Sequence, residues 1–367
     1  MTHPIKIGII GCGNVMIGPY MSLIQKLDYQ GQVKVVAACD PVADKRRFVQ
    51  QKFGIPRTTA NYQEIIEAND IELVLVLTSM PQHGPLAQAA LEAGKHVLVE
   101  KPMAVTLPEA ARLVELAKTS PGYLICAPHI ILSPTYRTML KRIRRGDIGR
   151  VISARALYGW AGPWWGQWFY QPGGGSLFDL GVYNVTSLTG LLGPAQRVMA
   201  MTGVAIPERV VDGEPMQVQA EDNAHLLLDF GESVFAVVTT GFTLQKYRCP
   251  AIELYGTQGT LQMMGDDWDP EGYELWQNDV GAWQVYEETD PNWPWTDGLR
   301  HLVECIQTKT PPLITPEHAY HVLEIMLKVQ ESGRDGREKI IDSRFTLPEL
   351  DPASTSEAGH LVHDRSY

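Results

Sequence analysis

The sequence predicts two domains, an α/β domain followed by an α+β domain. Its 367 residues are more than one ordinary hydrophobic core holds. Up to about residue 127, short β-rich runs alternate with helical segments, which indicates βαβ units and a parallel sheet. Between residues 217 and 264, strands follow one another through short turns, which indicates an antiparallel sheet. We therefore predict domains over residues 1–127 and 128–350, and a polar tail over residues 351–367.

The strands predicted in the N-terminal domain are continuous apolar runs, which is typical of a sheet covered by helices on both faces. Thr106 and Glu109 form a capping box for one of the intervening helices, with Pro108 in its first turn. The predicted strands cover residues 5–10, 33–39, 71–77, 97–99 and 123–127, and two of the helices cover residues 82–93 and 108–118.

The C-terminal domain is predicted to begin as helix, strand and helix, and to continue as a sheet. Thr315 and Pro316 are a favourable N-cap and first residue for its last helix. The final dozen residues are polar, and we expect them to be loose. Helices are predicted over residues 134–145, 177–192, 295–308 and 315–331, and strands over residues 150–158, 225–230, 233–240, 251–255 and 260–263.

Composition and charge exclude several classes of protein. A hydrophobic content of 44% and a charged content of 20% are typical of a folded soluble chain. The net charge of −11 disfavours binding to nucleic acid or to an anionic membrane surface. The N-terminus lacks a signal-peptide pattern, and no window holds the roughly 18 apolar residues of a membrane helix. The five cysteines are scattered, so we predict no disulfide, no metal site and a cytoplasmic protein.

A glycine motif with Gly11 and Gly13 follows the first predicted strand. Between a strand and a helix, such a motif indicates a dinucleotide-binding turn: Gly11 permits the tight turn, and Gly13 lets the backbone approach a pyrophosphate at the helix N-terminus. Met16 replaces the third glycine, which normally permits close packing of helix on strand. By itself the motif also fits an ordinary strand–turn–helix connection, and its place in a βαβ pattern favours the nucleotide.

Asp40 ends the second predicted strand. A carboxylate at this place can bind the adenosine ribose hydroxyls, and it would repel the 2′-phosphate of NADP. The alternative is a structural role, because Asp before Pro is also a good helix N-cap. Lys45, Arg46 and Arg47 follow one turn later. The sequence therefore predicts NAD as the cofactor and leaves NADP open.

Glu100, Lys101 and Pro102 follow a third buried strand. Residues just beyond the carboxyl ends of parallel strands face the crevice where ligands bind, so Lys101 is placed to lie between the nicotinamide and the substrate. A surface turn ended by proline is the alternative.

Three glycines at positions 173–175 precede a predicted helix that carries Asp179 and Tyr183. Such glycines let a loop pass close to a ligand, and two residues four apart share one helix face. Structural alternatives exist for both side chains. Ser176 and Asp179 also read as a capping box, and Tyr183 as a core tyrosine.

Together these motifs resemble the Gfo/Idh/MocA family of oxidoreductases. The resemblance rests on the ordered set of the glycine turn, residues 78–83, residues 93–102 with Glu-Lys-Pro, the glycines at 173–175 and residues 252–260. It implies a Rossmann domain followed by a domain with an open, mostly antiparallel sheet, whose outer face often forms a homodimer or homotetramer. It also implies NAD or NADP, and hydride transfer on sugars, cyclitols or related alcohols.

The resemblance also implies roles for single residues. The implied catalytic residues are Lys101, Asp179 and Tyr183, with tyrosine at a place where most members have histidine. The implied cofactor contacts are Gly11, Gly13, Asn14, Val15, Asp40, Thr78, Ser79, Pro81, His83, Glu100 and Lys101.

We assign Tyr183 as the acid/base of the predicted reaction. A phenol with a pKa near 10 is a weak base at neutral pH, and the ammonium group of Lys101 would favour its ionised form. Asp179 would hydrogen-bond Lys101 or the substrate.

Aromatic residues between 160 and 170 are candidates for the substrate site. The rings of Trp160, Trp164 and Trp165 can stack on a sugar while Gln167 binds hydroxyls, or they can pack in a core or a subunit interface. His129 can line the pocket or be buried for structural reasons.

The sequence thus predicts an NAD(P)-dependent dehydrogenase or reductase acting on CH–OH groups of a small polyol or sugar. Two alternatives remain open from the sequence: a glycoside hydrolase that uses NAD for transient oxidation, and a non-catalytic NAD-binding sensor.

Overall fold

The computed structural model describes residues 3–348 and the backbone of residues 361–365. The chain divides into two compact units, residues 1–129 with 294–320 and residues 130–293 with 321–367. Residues 294–320 thus belong to the first unit, although the sequence places them in the C-terminal domain. Two contacts hold them there: Trp295 packs edge-on against Tyr20 with ring centroids 6.1 Å apart, and Gly298 lies against the ring of His129.

The described residues form eighteen strands and nine α-helices. The strands are β1 (Ile5–Ile10), β2 (Val33–Cys39), β3 (Arg57–Thr59), β4 (Leu73–Val76), β5 (His96–Val99), β6 (Leu124–Cys126), β7 (Val151–Gly159), β8 (Arg197–Gly203), β9 (Glu208–Val211), β10 (Glu214–Gln217), β11 (Asn223–Asp229), β12 (Phe235–Gly241), β13 (Ile252–Gly256), β14 (Gly259–Asp266), β15 (Asp269–Gln277), β16 (Trp283–Glu287), β17 (Lys339–Ile340) and β18 (Leu361–Arg365). The helices are α1 (Met21–Tyr29), α2 (Ala43–Phe53), α3 (Gln63–Ile66), α4 (His83–Glu92), α5 (Leu107–Thr119), α6 (Pro134–Arg145), α7 (Val182–Leu192), α8 (Gly298–Thr308) and α9 (Pro316–Asp335).

The first unit is built on a parallel sheet in the order β3-β2-β1-β4-β5-β6. This is the strand order of a Rossmann fold, so the predicted α/β domain is confirmed. The bounds of β1 and β2 agree with the prediction residue for residue. Strand order reverses between β1 and β4, and ligands of such sheets bind at the carboxyl ends of the strands beside this switch point. Gly11 and Leu77 lie at that place.

The second unit is built on a ten-stranded open sheet in the order β17-β8-β11-β12-β7-β13-β14-β15-β16-β18. Only β7 and β12 run parallel among the described pairs, so the predicted mostly antiparallel sheet is confirmed. Helix α7 packs on β7, β12 and β13, and α6 packs on β14 and β15.

Part of one face of this sheet is exposed and apolar. Along β8, β11 and β12, buried residues alternate with exposed ones, and the register sets Leu227 opposite both Met199 and Val237. We call the apolar sheet face the exposed side chains of Met199, Met201, Leu227, Phe235 and Val237.

Several strands were not predicted. Strands β9 and β10 are short and mostly exposed, and β10 and β15 contain Pro215 and Pro270, which are unusual inside strands. The expected loose tail is also wrong for residues 361–365, whose backbone pairs with β16 as strand β18. The other residues of the predicted tail lie outside the described residues.

Three further predictions concern helix starts, cysteines and membrane spans. The Thr106 and Thr315 caps are confirmed, because their hydroxyls accept from the backbone N–H groups of Glu109 (3.4 Å) and His318 (3.3 Å). All five cysteines carry free thiols. Within residues 3–348 and 361–365, no helix combines the length and apolar character needed to cross a membrane.

Candidate active site

Gly11 forms the turn where β1 ends beside β4. Its φ is +102°, and a Cβ there would overlap the carbonyl oxygen of Leu77. A positive φ and so close a backbone approach admit only glycine. The local sequence forms this turn because the chain must leave β1 next to the end of β4, at the switch point of the sheet.

Gly13 lies two residues further on, and its surroundings are open. A Cβ on Gly13 would have no heavy atom within 4 Å, and Asn14 and Val15 beside it are exposed. A π-helical turn over Met16–Tyr20 then leads into α1, and Met16 is fully buried where a third glycine was expected. The open space at the start of a helix fits a pyrophosphate, which helix N-termini attract through their free N–H groups.

Asp40 fixes the glycine turn to the start of α2. Its buried carboxylate accepts hydrogen bonds from the backbone N–H groups of Cys12 (3.0 Å) and Val42 (2.9 Å). The guanidinium of Arg46 donates to the Asp40 carbonyl at 2.6 Å, and the Lys45 ammonium lies 4.0 Å from its carboxylate. The helix N-cap alternative for Asp40 is wrong, because Val42 is the N-cap of α2 and no side chain caps this helix. The Asp40 carboxylate instead holds the turn where the ribose of a dinucleotide is expected.

His83 connects the loops that follow β4 and β5. It is buried, with Nδ1 2.7 Å from the carbonyl oxygen of Pro102 and Nε2 3.0 Å from that of Thr78. Burial lowers the pKa of His83, although both carbonyl groups favour its protonated form. Ser79 and Pro81 lie between these anchors, where Pro81 belongs to a short 3₁₀ turn before α4. The ring of His83 thus holds the predicted cofactor loop in place.

Glu100 and Lys101 lie just beyond the carboxyl end of β5. The Glu100 carboxylate accepts from the Tyr20 hydroxyl at 2.8 Å and from the Lys101 backbone N–H at 3.2 Å. Glu100 is buried and Lys101 is partly exposed, and a cis peptide bond joins Lys101 to Pro102. The glutamate therefore ties the lysine loop to the segment that follows the glycine turn.

His129 is a fully buried histidine, which favours the structural alternative left open above. Its ring lies against Gly298, where a Cβ would overlap it. Burial lowers the pKa of His129 to about 4, against the opposing influence of the Glu100 and Asp297 carboxylates. At neutral pH this residue is uncharged.

In the second unit, two of the three glycines at 173–175 approach other protein groups. A Cβ on Gly174 would overlap the Trp168 carbonyl oxygen, and one on Gly175 would overlap the carboxylate of Glu221. That carboxylate accepts from the backbone N–H of Leu177 at 3.1 Å, and burial raises the pKa of Glu221 to about 7. The capping box of Ser176 and Asp179 is therefore wrong, because the Ser176 side chain makes no capping hydrogen bond and Glu221 takes that place.

Asp179 and Tyr183 lie on the helical segment that begins there. Residues Leu177–Gly181 form a π-helical turn that continues directly into α7, and π turns are frequent at functional sites. Tyr183 is 9% exposed, and its ring meets that of Tyr158 edge-on, with centroids 5.9 Å apart and an interplanar angle of 83°. Burial, followed by the carboxylates of Asp267 and Asp179, raises the pKa of Tyr158 well above its usual value.

Behind this pair of tyrosines lies a buried acid. Asp267 is 1% exposed, and its carboxylate accepts a 2.8 Å hydrogen bond from the side-chain amide of Asn184, the residue after Tyr183. Burial raises the pKa of Asp267 to about 8, so it is mostly uncharged at neutral pH.

We expect Asp267→Asn to stabilise the protein increasingly as the pH rises. Because the folded pKa lies above the unfolded value, the stability contributed by the neutral acid is complete below about pH 4 and is lost as the pH rises through about 8. Asparagine cannot ionise and keeps the oxygen that accepts from Asn184. Its advantage in the free energy of unfolding should be small near pH 4 and on the order of 5 kcal/mol near pH 8, because the folded pKa lies far above the unfolded value.

Urea unfolding at several pH values measures this difference. Asp279→Asn, at an exposed position, is the matched control and should change little at any pH. An advantage of Asp267→Asn that does not depend on pH would contradict the assignment of a raised pKa.

The aromatic segment before the glycines is partly buried and partly exposed. Tyr170 lies in a core with Phe242 and donates to the Pro163 carbonyl at 2.8 Å. Trp160 and Trp165 pack together at 5.6 Å, whereas Trp164 is 72% exposed.

Hydrogen bonds fix the backbone of this segment. The Arg209 guanidinium donates to the Ala161 carbonyl at 2.7 Å, and the Asp212 carboxylate accepts from the Gly166 N–H at 3.0 Å. The exposed indoles of Trp164 and Trp165 are therefore presented on an anchored backbone.

Two sequence profiles of one family match this chain. Residues 5–126 match the oxidoreductase family with an NAD-binding Rossmann fold, and residues 136–262 match the GFO/IDH/MocA C-terminal domain. The two matches cover more than half of the chain. This protein belongs to the Gfo/Idh/MocA family. The Gfo/Idh/MocA chain is accordingly an NAD-binding oxidoreductase, a dehydrogenase or reductase of alcohol or carbonyl groups.

Individual relatives include enzymes that are named for diols and sugars. A trans-1,2-dihydrobenzene-1,2-diol dehydrogenase from Macaca fuscata fuscata is 26% identical over 275 residues, which are 72% of this chain and 75% of the relative. A 1,5-anhydro-D-fructose reductase from Ensifer adhaerens is 28% identical over 234 residues, which are 62% of this chain and 67% of the relative. The crystal structure of aldose-aldose oxidoreductase from Caulobacter crescentus complexed with glycerol has a TM-score of 0.79 at 21% identity, covering 92% of this chain and 100% of that one. This last likeness shows the shared fold.

Three residues near the predicted site of this Gfo/Idh/MocA protein were not predicted from its sequence. Tyr158 stands near the end of a correctly predicted strand, and that position was a usable signal. Asp267 follows β14 in a similar way. No local pattern marks Glu221, because it is separated from Leu177 by 44 positions.

Proposed function

We propose that this protein transfers hydride between a nicotinamide cofactor and a hydroxyl or carbonyl carbon of a sugar, cyclitol or related polyol or diol. The observation that carries the proposal is the pair of phenols, Tyr158 and Tyr183, beside the Asp179 carboxylate in the second unit. Relatives named as a diol dehydrogenase and an anhydrosugar reductase support the same substrate class.

The proposed nucleotide site consists of residues of the first unit. Its support is the turn at Gly11, the open space at Gly13 and the carboxylate of Asp40. When bound, the cofactor supplies the hydride acceptor or donor. Asn14 and Val15 at the helix start, and Thr78, Ser79 and Pro81 in the loop anchored by His83, complete the proposed contacts, with Glu100 holding the lysine loop.

Tyr183 is the proposed acid/base of the reaction. Its hydroxyl accepts the substrate proton during oxidation and returns it during reduction. A phenol with a pKa near 10 needs a positive charge to act near neutral pH, and Lys101 is the proposed source of that charge. Asp179 orients the reacting groups by hydrogen bonding.

The aromatic residues Trp160, Trp164 and Trp165 are proposed to contact the C–H faces of the substrate ring. The exposure of Trp164 and the anchored backbone of this segment support that role. A buried, uncharged His129 supports a structural role for that residue instead of substrate contact.

Binding and turnover on one protein sample test the proposed function. Calorimetry with NAD and NADP should show tighter binding of NAD, because the Asp40 carboxylate repels a 2′-phosphate. The same sample, screened against sugars, cyclitols and vicinal diols, should reduce NAD with one of these classes. Failure to bind either nucleotide would overturn the proposed nucleotide site. Tight binding of a nucleotide without turnover of any compound would overturn the proposed dehydrogenase activity.

We also propose that the chain forms a homodimer or homotetramer through the apolar sheet face. Five exposed apolar side chains on adjacent strands form a continuous surface, and such patches are common at subunit interfaces. Leu227→Lys places a charge at the middle of it and should shift the sedimentation coefficient from that of an oligomer to that of a monomer. A wild-type chain that sediments as a monomer at micromolar concentration would refute this interface.

A further inference from the structure

Tyr158 is a partly buried tyrosine whose hydroxyl bonds no other described residue. Two fully buried tyrosines, in contrast, donate to protein acceptors: Tyr20 to Glu100 at 2.8 Å and Tyr170 to the Pro163 carbonyl at 2.8 Å. Within the described part of the chain, no hydrogen bond joins the Tyr158 hydroxyl to another residue. This hydroxyl is therefore free to donate to a ligand that lies beside Tyr183.

The sheet register places this side chain beside the proposed acid/base. Tyr158 is the second-last residue of β7, directly opposite Thr240 of β12. Thr240 packs against Gly181 in the π turn, so Tyr158 and Thr240 share the sheet face covered by that turn and α7. The Tyr158 ring meets Tyr183 edge-on there. The hydroxyl of Thr240 is also buried without a hydrogen-bond partner among the described residues.

From this geometry we propose that Tyr158 donates a hydrogen bond to a substrate oxygen next to the carbon that reacts at Tyr183. The inference rests on the proposed function and narrows its substrate class to vicinal diols and polyols, in which a second oxygen adjoins the reacting carbon. A simple alcohol has no oxygen at that place and leaves the donor unused.

Burial and nearby carboxylates keep Tyr158 protonated, and this gives the two phenols different roles. Burial and the carboxylates of Asp267, Asp179 and Asp266 hold the pKa of Tyr158 well above its usual range, so its hydroxyl remains a donor throughout the range of assay pH. A group that stays protonated cannot act as the base, and it offers a constant donor to an acceptor oxygen. Tyr158 therefore positions the substrate, and proton transfer is left to Tyr183.

Tyr158→Phe removes only the hydroxyl and keeps the ring that packs on Tyr183. Because that hydroxyl has no protein partner, the variant should unfold at the same temperature as the wild type or slightly higher. With NAD bound and trans-cyclohexane-1,2-diol as the probe, KM should rise about tenfold, the loss expected for one neutral hydrogen bond, while kcat and its pH profile change little. With cyclohexanol as the probe, the variant and the wild type should have the same kcat/KM.

The outcomes separate this inference from the function on which it rests. If the wild type neither binds the diol, by calorimetry on the NAD-loaded protein, nor oxidises it, the diol class fails for the proposed function and for Tyr158 alike. If the wild type oxidises the diol and Tyr158→Phe has an unchanged KM, the function stands and the assignment of Tyr158 is wrong. A lowered unfolding temperature with equal losses on both probes would show a structural role instead.

Discussion

Replacing Tyr183 with phenylalanine is expected to lower kcat about 10²–10⁴-fold while NAD binding stays unchanged. The substitution removes the hydroxyl proposed to carry the substrate proton, and the ring that packs against Tyr158 remains. An acid/base group acts in the transition state and contributes little to binding, so kcat and kcat/KM should fall together. Steady-state kinetics on the best substrate of the panel, together with calorimetry of NAD, measure both quantities.

Tyr29→Phe is the matched control for this experiment. Tyr29 is 95% exposed at the end of α1, and loss of its hydroxyl should leave kcat unchanged. The pH profile adds a second criterion, because the wild type should lose activity as the pH falls below the pKa of its base, and Tyr183→Phe should lack that limb. Normal turnover by Tyr183→Phe would remove this residue from the mechanism.

Gly11→Ala and Gly13→Ala are both expected to weaken NAD binding, but for different reasons. At Gly11 a methyl group meets the Leu77 carbonyl oxygen in a backbone with positive φ, so the fold should lose about 3 kcal/mol of unfolding free energy and NAD binding with it. At Gly13 a methyl group meets no protein atom within 4 Å, so stability should stay within about 0.5 kcal/mol of the wild type.

Gly13→Ala therefore tests the contact with the nucleotide without changing the stability of the fold. If the open space at Gly13 receives the pyrophosphate, the alanine methyl group should weaken NAD binding about tenfold or more, an effect of about 1.4 kcal/mol. Thermal unfolding and calorimetry on the same preparations measure the two effects separately. Equal NAD affinity in Gly13→Ala and wild type would place the pyrophosphate elsewhere.

The Rossmann unit was predictable because its signals are local. Buried parallel strands are short apolar runs, and residues 5–10 and 33–39 show this directly in the sequence. The turn at Gly11 was predictable for the same reason, since the residue types of a strand–turn–helix connection follow from its own backbone angles. The caps at Thr106 and Thr315 involve residues only three positions apart.

The strands of the second unit were harder to predict. Strand β8 has exposed methionines at positions where a solvent-facing strand usually has polar residues, and β15 contains Pro270 and Gly272. Such sequences become strands through pairing with β11 and β14, and that pairing is a property of the whole sheet.

By itself, the sequence determined the two kinds of sheet, the glycine turn and the candidate residues on the segment that carries Asp179 and Tyr183. Tertiary structure alone decided what surrounds them. It caps that segment with Glu221 instead of Ser176, sets Tyr158 against Tyr183 and buries Asp267 behind Asn184, 83 positions away in the chain. The physical reason is distance along the chain: backbone angles and apolar spacing are set by neighbouring residues, whereas a buried hydrogen bond or ring contact needs two remote segments in one place.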